Sequence, residues 1–113
     1  MNKNKLYALV REAWPYCPHC GEDTELQTHH RRNRGMGGSK QLDRFDNLIR
    51  VCAALNYAME SNANIANEAK DMGWKLGQWQ DFSNPVFDKM QLKWFHLTQD
   101  GRKEETEPPS YLI

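Results

Sequence analysis

The sequence predicts a single α+β domain organised around a strand–loop–strand–helix core. Three observations carry that expectation. The chain has 113 residues, enough for one modest hydrophobic core. Its apolar stretches are short: a helix-like run at Lys3 to Trp14 and, further on, a strand-like run at Asn47 to Cys52 followed by a helix-like one at Ala53 to Ser61. Between them, Thr28-His29-His30 runs into a loop of arginines and glycines, where a strand should end and a functional loop begin.

The elements follow in order. Lys3 to Trp14 reads as a short helix stopped by Pro15. Tyr16 to Gly21 reads as a knuckle, a tight turn presenting the thiols of Cys17 and Cys20, with Gly21 supplying an unusual backbone angle and His19 pointing outward. Thr24 to His30 is the first strand, Gly35 to Ser39 a loop, and Asn47 to Cys52 the second strand. Ala53 to Ser61, rich in Ala, Leu and Met, is helical. A further helix, capped by Asn62 or Asn64, places Ile65, Ala69 and Met72 on its apolar face and ends at Gly73. Trp74 to Trp79 reads as a strand. Val86-Phe87 and Trp94 to Leu97 form a terminal hairpin around residues 88–93, and Glu104 to Ile113 is a loose or docked tail. Trp74, Trp79 and Trp94 are expected in the core. The whole is one domain, 1–113, with a core at 17–73, C-terminal strands at 74–100 and a tail at 101–113.

Fifteen basic residues balance fifteen acidic ones. Zero net charge argues against a whole-surface nucleic-acid binder. The charge is unevenly spread, however. Residues 31–50 carry Arg31, Arg32, Arg34, Lys40, Arg44 and Arg50 against only Asp43 and Asp46, whereas residues 15–30 carry three acidic groups. A local basic patch on a neutral body is the better description. No apolar run approaches the ~20 residues of a membrane span, and Leu6 to Val10 is too short for a signal core, so a cytoplasmic protein without a membrane partner is expected. In that compartment Cys17, Cys20 and Cys52 read as metal ligands or free thiols rather than disulfides.

Adjacent histidines on an extended segment face opposite ways. One can hold a metal while the other faces a substrate. The arginines and glycines that follow suit a loop lying on phosphates.

These pieces, Cys17-Pro18-His19-Cys20-Gly21, His29 to Gly38, Asn47-Leu48 to Glu60, Gly73-Trp74 and Pro85-Val86-Phe87, together resemble the HNH nuclease family, and in particular the small HNH proteins of bacteriophages. The resemblance spans about three quarters of the chain, from Cys17 to about Gly101. It implies a ββα-metal core with a zinc-knuckle-like turn, an N-terminal helix and a C-terminal β-hairpin. It implies metal-dependent phosphodiester hydrolysis of DNA, leaving 5′-phosphate and 3′-hydroxyl ends. His29 matches the ligand of the catalytic divalent cation (Mg, Mn or Ni), with Asn56 and Glu60, one turn apart on a helix, as further ligands. His30 matches the general base, and imidazole suits it because its ordinary pKa of ~6.5 lies near working pH. Asn47 matches the asparagine that keeps the base oriented. Arg31, Arg32, Arg34 and Lys40 would hold phosphates. Small relatives act beside terminase in DNA packaging, which makes nicking during packaging the expected setting, in the cytoplasm of an infected host.

The chain departs from that pattern where the family has a second Cys-x-x-Cys followed by histidine. Here it reads Cys52-Ala53-Ala54-Leu55-Asn56, so four thiolates are impossible within the chain. Two readings follow. In one, structural zinc is held by Cys17, Cys20 and Cys52 with water or a nearby side chain, and the nuclease works with an asparagine ligand. In the other, packing of Leu55 replaces zinc, and the chain is a catalytically degenerate HNH-fold protein that binds DNA or inhibits a host protein. A third, a zinc module within a larger assembly, has less behind it.

Overall fold

The computed structural model describes residues 1–33, 40–77 and 79–112. The expected loop at Gly35–Ser39 and the expected phosphate contact of Arg34 lie outside the described residues, as does the side chain of Lys40.

Helix α1 (Lys3–Ala13) starts because the Asn2 side chain accepts from the Lys5 N–H at 2.8 Å, and it buries Leu6 and Val10. Strand β1 (Gln27–His30) pairs antiparallel with β2 (Leu48–Val51), placing His29 opposite Ile49 and His30 opposite Leu48. The first strand is shorter than the expected Thr24–His30, because the chain bends at Glu25, which has φ +53°. Helix α2 (Ala53–Ser61) follows β2 directly, with Cys52 as its N-cap. Helix α3 (Ala63–Met72) is capped by the Asn62 side chain and closed by Gly73 in the left-handed region. Only glycine fits there, since a Cβ would lie 1.9 Å from the Pro85 carbonyl oxygen.

A second sheet is formed by β3 (Val86–Asp88), β4 (Lys93–Leu97) and β5 (Lys103–Thr106), all antiparallel. The terminal hairpin thus gains a third strand from residues read as tail. Alternating Lys-Glu-Glu-Thr carries no apolar signal, and β5 is an outer strand whose Glu104, Glu105 and Thr106 are exposed. Beyond it the tail docks: Tyr111 donates to the Asp71 carbonyl and accepts from Gln80 and Asn84, each at 3.2 Å. Residues 74–77 and 79 form no strand. Trp74 is fully buried, and its indole N–H donates to the Phe87 carbonyl, but Trp79 is 92% exposed, against the expectation that it is core. Leu6, Val10, Trp14, Phe45, Leu48, Ile49, Val51, Leu55, Met59, Ala69, Trp74, Val86 and Leu97 belong to one continuous core joining all three α-helices and both sheets of the described residues. Among the described residues, no helix is long and apolar enough to cross a membrane.

Candidate metal and catalytic site

The two histidines of β1 diverge as an extended strand requires. His29 is buried, and its Nε2–H donates to the Trp74 carbonyl at 3.0 Å. A carbonyl only accepts, so the proton sits on Nε2 and Nδ1 keeps a lone pair. Burial pushes the ring's pKa down to about 4, aided by Lys75 and His30 and opposed by the Trp74 carbonyl and by a hydrogen bond with the Asn56 side chain. Asn56 is held in turn by donating to the Gln27 side chain at 2.7 Å. Gln27 lies two residues before His29 on the same face of β1, which is the face that meets α2. A neutral imidazole whose N–H is tied to a backbone carbonyl is the usual arrangement of a metal-binding histidine. His29 and Asn56 are therefore brought together in a form that suits a divalent cation.

Glu60 is different. It is more than half exposed and pairs with Lys75 at 3.6 Å. Since Lys75 also acts on His29, its ammonium stands beside the ligand set that the cation would share. Of the three residues expected as ligands, His29 and Asn56 lie together, and Glu60 is engaged by a built-in positive charge.

His30 faces the other way. Its Nε2 meets Asp43 Oδ1 at 2.7 Å, and the imidazole keeps 18% of its surface exposed. Asn47, fully buried, ties this side together. Its Oδ1 accepts from the Arg32 N–H at 2.7 Å, and its Nδ2 donates to the carbonyls of Arg32 at 3.2 Å and Leu42 at 2.9 Å. One side chain thus staples the exit of β1 to the residue preceding Asp43.

The arginines divide. Arg31 was expected on phosphate, but it is fully buried. Its guanidinium donates to the carbonyls of Gly73 (2.7 Å), Asp46 (2.8 Å), Phe82 (3.5 Å) and Asn84. Burial lowers its pKa to about 10, which still leaves it charged at neutral pH. It is an internal brace, with four of its five N–H donors committed to backbone carbonyls. Arg32 is half-buried, donates to the Gln80 carbonyl and lies 5.9 Å from the centre of the Phe82 ring.

The thiols converge. The sulfurs of Cys17, Cys20 and Cys52 all lie within 4.8 Å of one another, so the cluster can hold a metal ion. Burial pushes the Cys17 thiol up to about 11, against backbone N–H donors from Cys52, Cys20 and His19 that favour its thiolate. Cys52 Sγ accepts from the Leu55 N–H at 3.3 Å. The knuckle closes through Gly21 N–H to the Cys17 carbonyl and Cys17 N–H to the Glu22 carbonyl, both 2.8 Å. It leans on the β3–β4 turn, where the Lys89 N–H donates to the Pro18 carbonyl at 2.9 Å. His19, expected to point outward, sets its edge against Trp74 with ring centres 5.2 Å apart.

Compared with known proteins, the chain matches no family model, no curated protein and no solved structure. Asp43 and Lys75 are the two site residues that the sequence did not reveal. Asp43 lies thirteen positions from His30 with no motif spacing to mark it. Lys75 sits in a segment read as a strand of the C-terminal region, remote from the histidines in sequence.

Proposed function

We propose that this chain is an HNH-type endonuclease with a ββα-metal core, hydrolysing phosphodiester bonds in DNA. The observation that carries the proposal is the divergence of His29 and His30 on one strand. One imidazole is neutral and turned toward Asn56 of the following helix. The other is partly open and hydrogen-bonded to a carboxylate. On this reading His30 removes a proton from water as that oxygen attacks phosphorus, and the 3′ oxygen leaves with a proton from solvent. Asn47 keeps the strand exit and the Asp43 segment in register. His29 and Asn56, with Glu60 released from Lys75, would hold the divalent cation, whose chemistry is to stabilise charge on the phosphate. On this reading Arg32 would leave the Gln80 carbonyl to meet a phosphate. Zinc on Cys17, Cys20 and Cys52 would fix the knuckle against α2. DNA packaging beside terminase is the setting we favour.

A second reading, a degenerate HNH-fold protein that binds DNA or a host protein, is favoured by one observation, the Lys75–Glu60 pair at the cation site. A plasmid-nicking assay with Mg²⁺, Mn²⁺ and Ni²⁺ decides between them. On the nuclease reading, His30→Ala lowers the rate by about 10²–10⁴-fold, the usual contribution of a general base. Equal nicking by wild type and His30→Ala refutes the assignment of the base. No nicking with any of the three ions favours the second reading.

A further inference from the structure

We propose that Asp43 is the positioning residue of His30, fixing the imidazole with its proton on Nε2 so that Nδ1 is the basic nitrogen. The role in catalysis rests on the nuclease reading; the placement of the proton does not.

A carboxylate offers no proton, so the 2.7 Å contact between His30 Nε2 and Asp43 Oδ1 requires the hydrogen to be on Nε2. A neutral imidazole then has its lone pair on Nδ1. Both side chains are mostly shielded, at 18% and 13% exposed, so the hydrogen bond is poorly replaced by water. Asp43 is itself held in place. It lies between two 3₁₀ turns, Lys40–Leu42 and Phe45–Asn47. The Leu42 carbonyl immediately before it accepts from Asn47 Nδ2, and the Asn47 N–H donates to the Arg44 carbonyl immediately after it at 2.9 Å. The same Asn47 side chain grips both backbone groups of Arg32, two residues beyond His30. The pair is therefore clamped from both ends by one buried amide.

The chemistry follows from the tautomer. Water gives a proton to Nδ1 and its oxygen bonds to phosphorus while the bond to the 3′ oxygen breaks. His30 passes through an imidazolium whose Nε2–H still faces the Asp43 carboxylate, which stabilises the new positive charge without taking the proton. The imidazolium then returns its proton to solvent.

Two measurements on the full chain test this. The first is ¹⁵N–¹H correlation of the histidine rings at neutral pH, with His30→Ala used to assign the signal. His30 should be the Nε2–H tautomer in the wild type, remain so in Asp43→Glu, and become a mixture in Asp43→Ala. A wild-type His30 protonated on Nδ1, or a tautomer unchanged by Asp43→Ala, overturns the proposal. The second is nicking kinetics. Asp43→Asn should lower kcat about 100-fold with KM nearly unchanged, and Asp43→Glu should recover part of the loss. An unaltered kcat in Asp43→Asn, with His30→Ala inactive, overturns the positioning role. If neither wild type nor any variant nicks DNA, the nuclease reading fails, while the ring spectra still decide whether Asp43 sets the tautomer.

Discussion

The thiol cluster and the His29 face are both gathered around β2 and the start of α2, yet they differ in what surrounds the donors. At the knuckle, backbone N–H groups point at the sulfurs of Cys17 and Cys52, and three soft donors lie within 4.8 Å. No cation is among the causes that shift the Cys17 thiol. At the His29 face the donors are also oriented, through the Trp74 carbonyl and Gln27, but the ammonium of Lys75 sits on Glu60. One site is short of a ligand and the other already has a cation. Counting ligands describes the first; only local charge describes the second. The two sites should therefore respond to opposite kinds of substitution.

The largest effect is expected at the knuckle. Leu55 is 3% exposed, and its N–H already donates to Cys52 Sγ, so position 55 lies in the first turn of α2 beside the Cys52 sulfur. Leu55→Cys should raise zinc affinity roughly a thousandfold, since a complete set of ligands is worth ~10–16 kcal/mol in small zinc peptides. Competition titration against a chromophoric chelator reads this directly. An unchanged affinity means that the side chain at 55 does not reach the cluster. The same substitution should leave divalent binding at His29 untouched, which keeps the two sites separate.

Next comes the arginine pair. Arg31→Met removes a buried charge and strands the carbonyls of Gly73, Asp46, Phe82 and Asn84, so urea unfolding should show a loss of about 3–5 kcal/mol. Arg32→Ala should change stability by less than about 1 kcal/mol yet weaken DNA binding and reduce its salt dependence. A loss of DNA affinity in a folded Arg31→Met that exceeds the Arg32→Ala loss contradicts the division. The pH dependence of stability is expected to be of similar size. His29 has a pKa of about 4 in the folded chain, below the ordinary 6.5. As pH falls below 6.5 the unfolded chain takes up a proton that the native state refuses. The metal-free protein should therefore lose stability between pH 6.5 and 4, by about 3 kcal/mol in all, and level off below that. His29→Gln should flatten this slope, and an equally steep one would place the titrating group elsewhere.

Much of this arrangement was readable in the sequence, and the parts that were not share a cause. The helices at Lys3–Ala13, Ala53–Ser61 and Ala63–Met72 follow from caps and apolar spacing, which are local properties. The opposite orientation of His29 and His30 follows from strand geometry alone. The convergence of Cys52 with Cys17 and Cys20 was one of two readings that the family resemblance left open, since no local pattern ties position 52 to the knuckle. What local pattern does not encode is which polar side chain crosses the fold. Arg31 looked like its neighbours, and only the return of the 73–84 segment across it reveals a brace. Trp79 looked like Trp74, but the segment that carries it is a loop beside Arg32 rather than a strand in the core. Strand β5 lacks apolar residues because one side of it faces water.

The smallest effect expected is also the one that bears most closely on function. Lys75 and Glu60 form a pair at 3.6 Å in which Lys75 is 18% exposed and Glu60 56%. A pair this open contributes under about 1 kcal/mol to stability, so Lys75→Met should fold normally. On the nuclease reading its effect on a divalent cation is larger, because the ammonium would both repel the ion and occupy the carboxylate which that reading assigns to it. At an effective dielectric near that of a protein surface, relief of one such contact is worth a few kcal/mol before solvent screening, and about tenfold in affinity after it. Mn²⁺ is the suitable probe: its paramagnetic broadening of the His29 ring signals identifies the site, and titration gives the affinity. Lys75→Met should bind Mn²⁺ about ten times more tightly than the wild type, and His29→Gln on the same background should abolish the gain. If nicking rises with Mn²⁺ affinity in Lys75→Met, the lysine is a restraint on a working nuclease. If affinity rises and nicking stays absent, the histidine face has kept its ligands and lost its reaction, and the binding reading prevails. If Mn²⁺ binds no better, Lys75 does not stand at a cation site, and the contrast between the two clusters loses its electrostatic half.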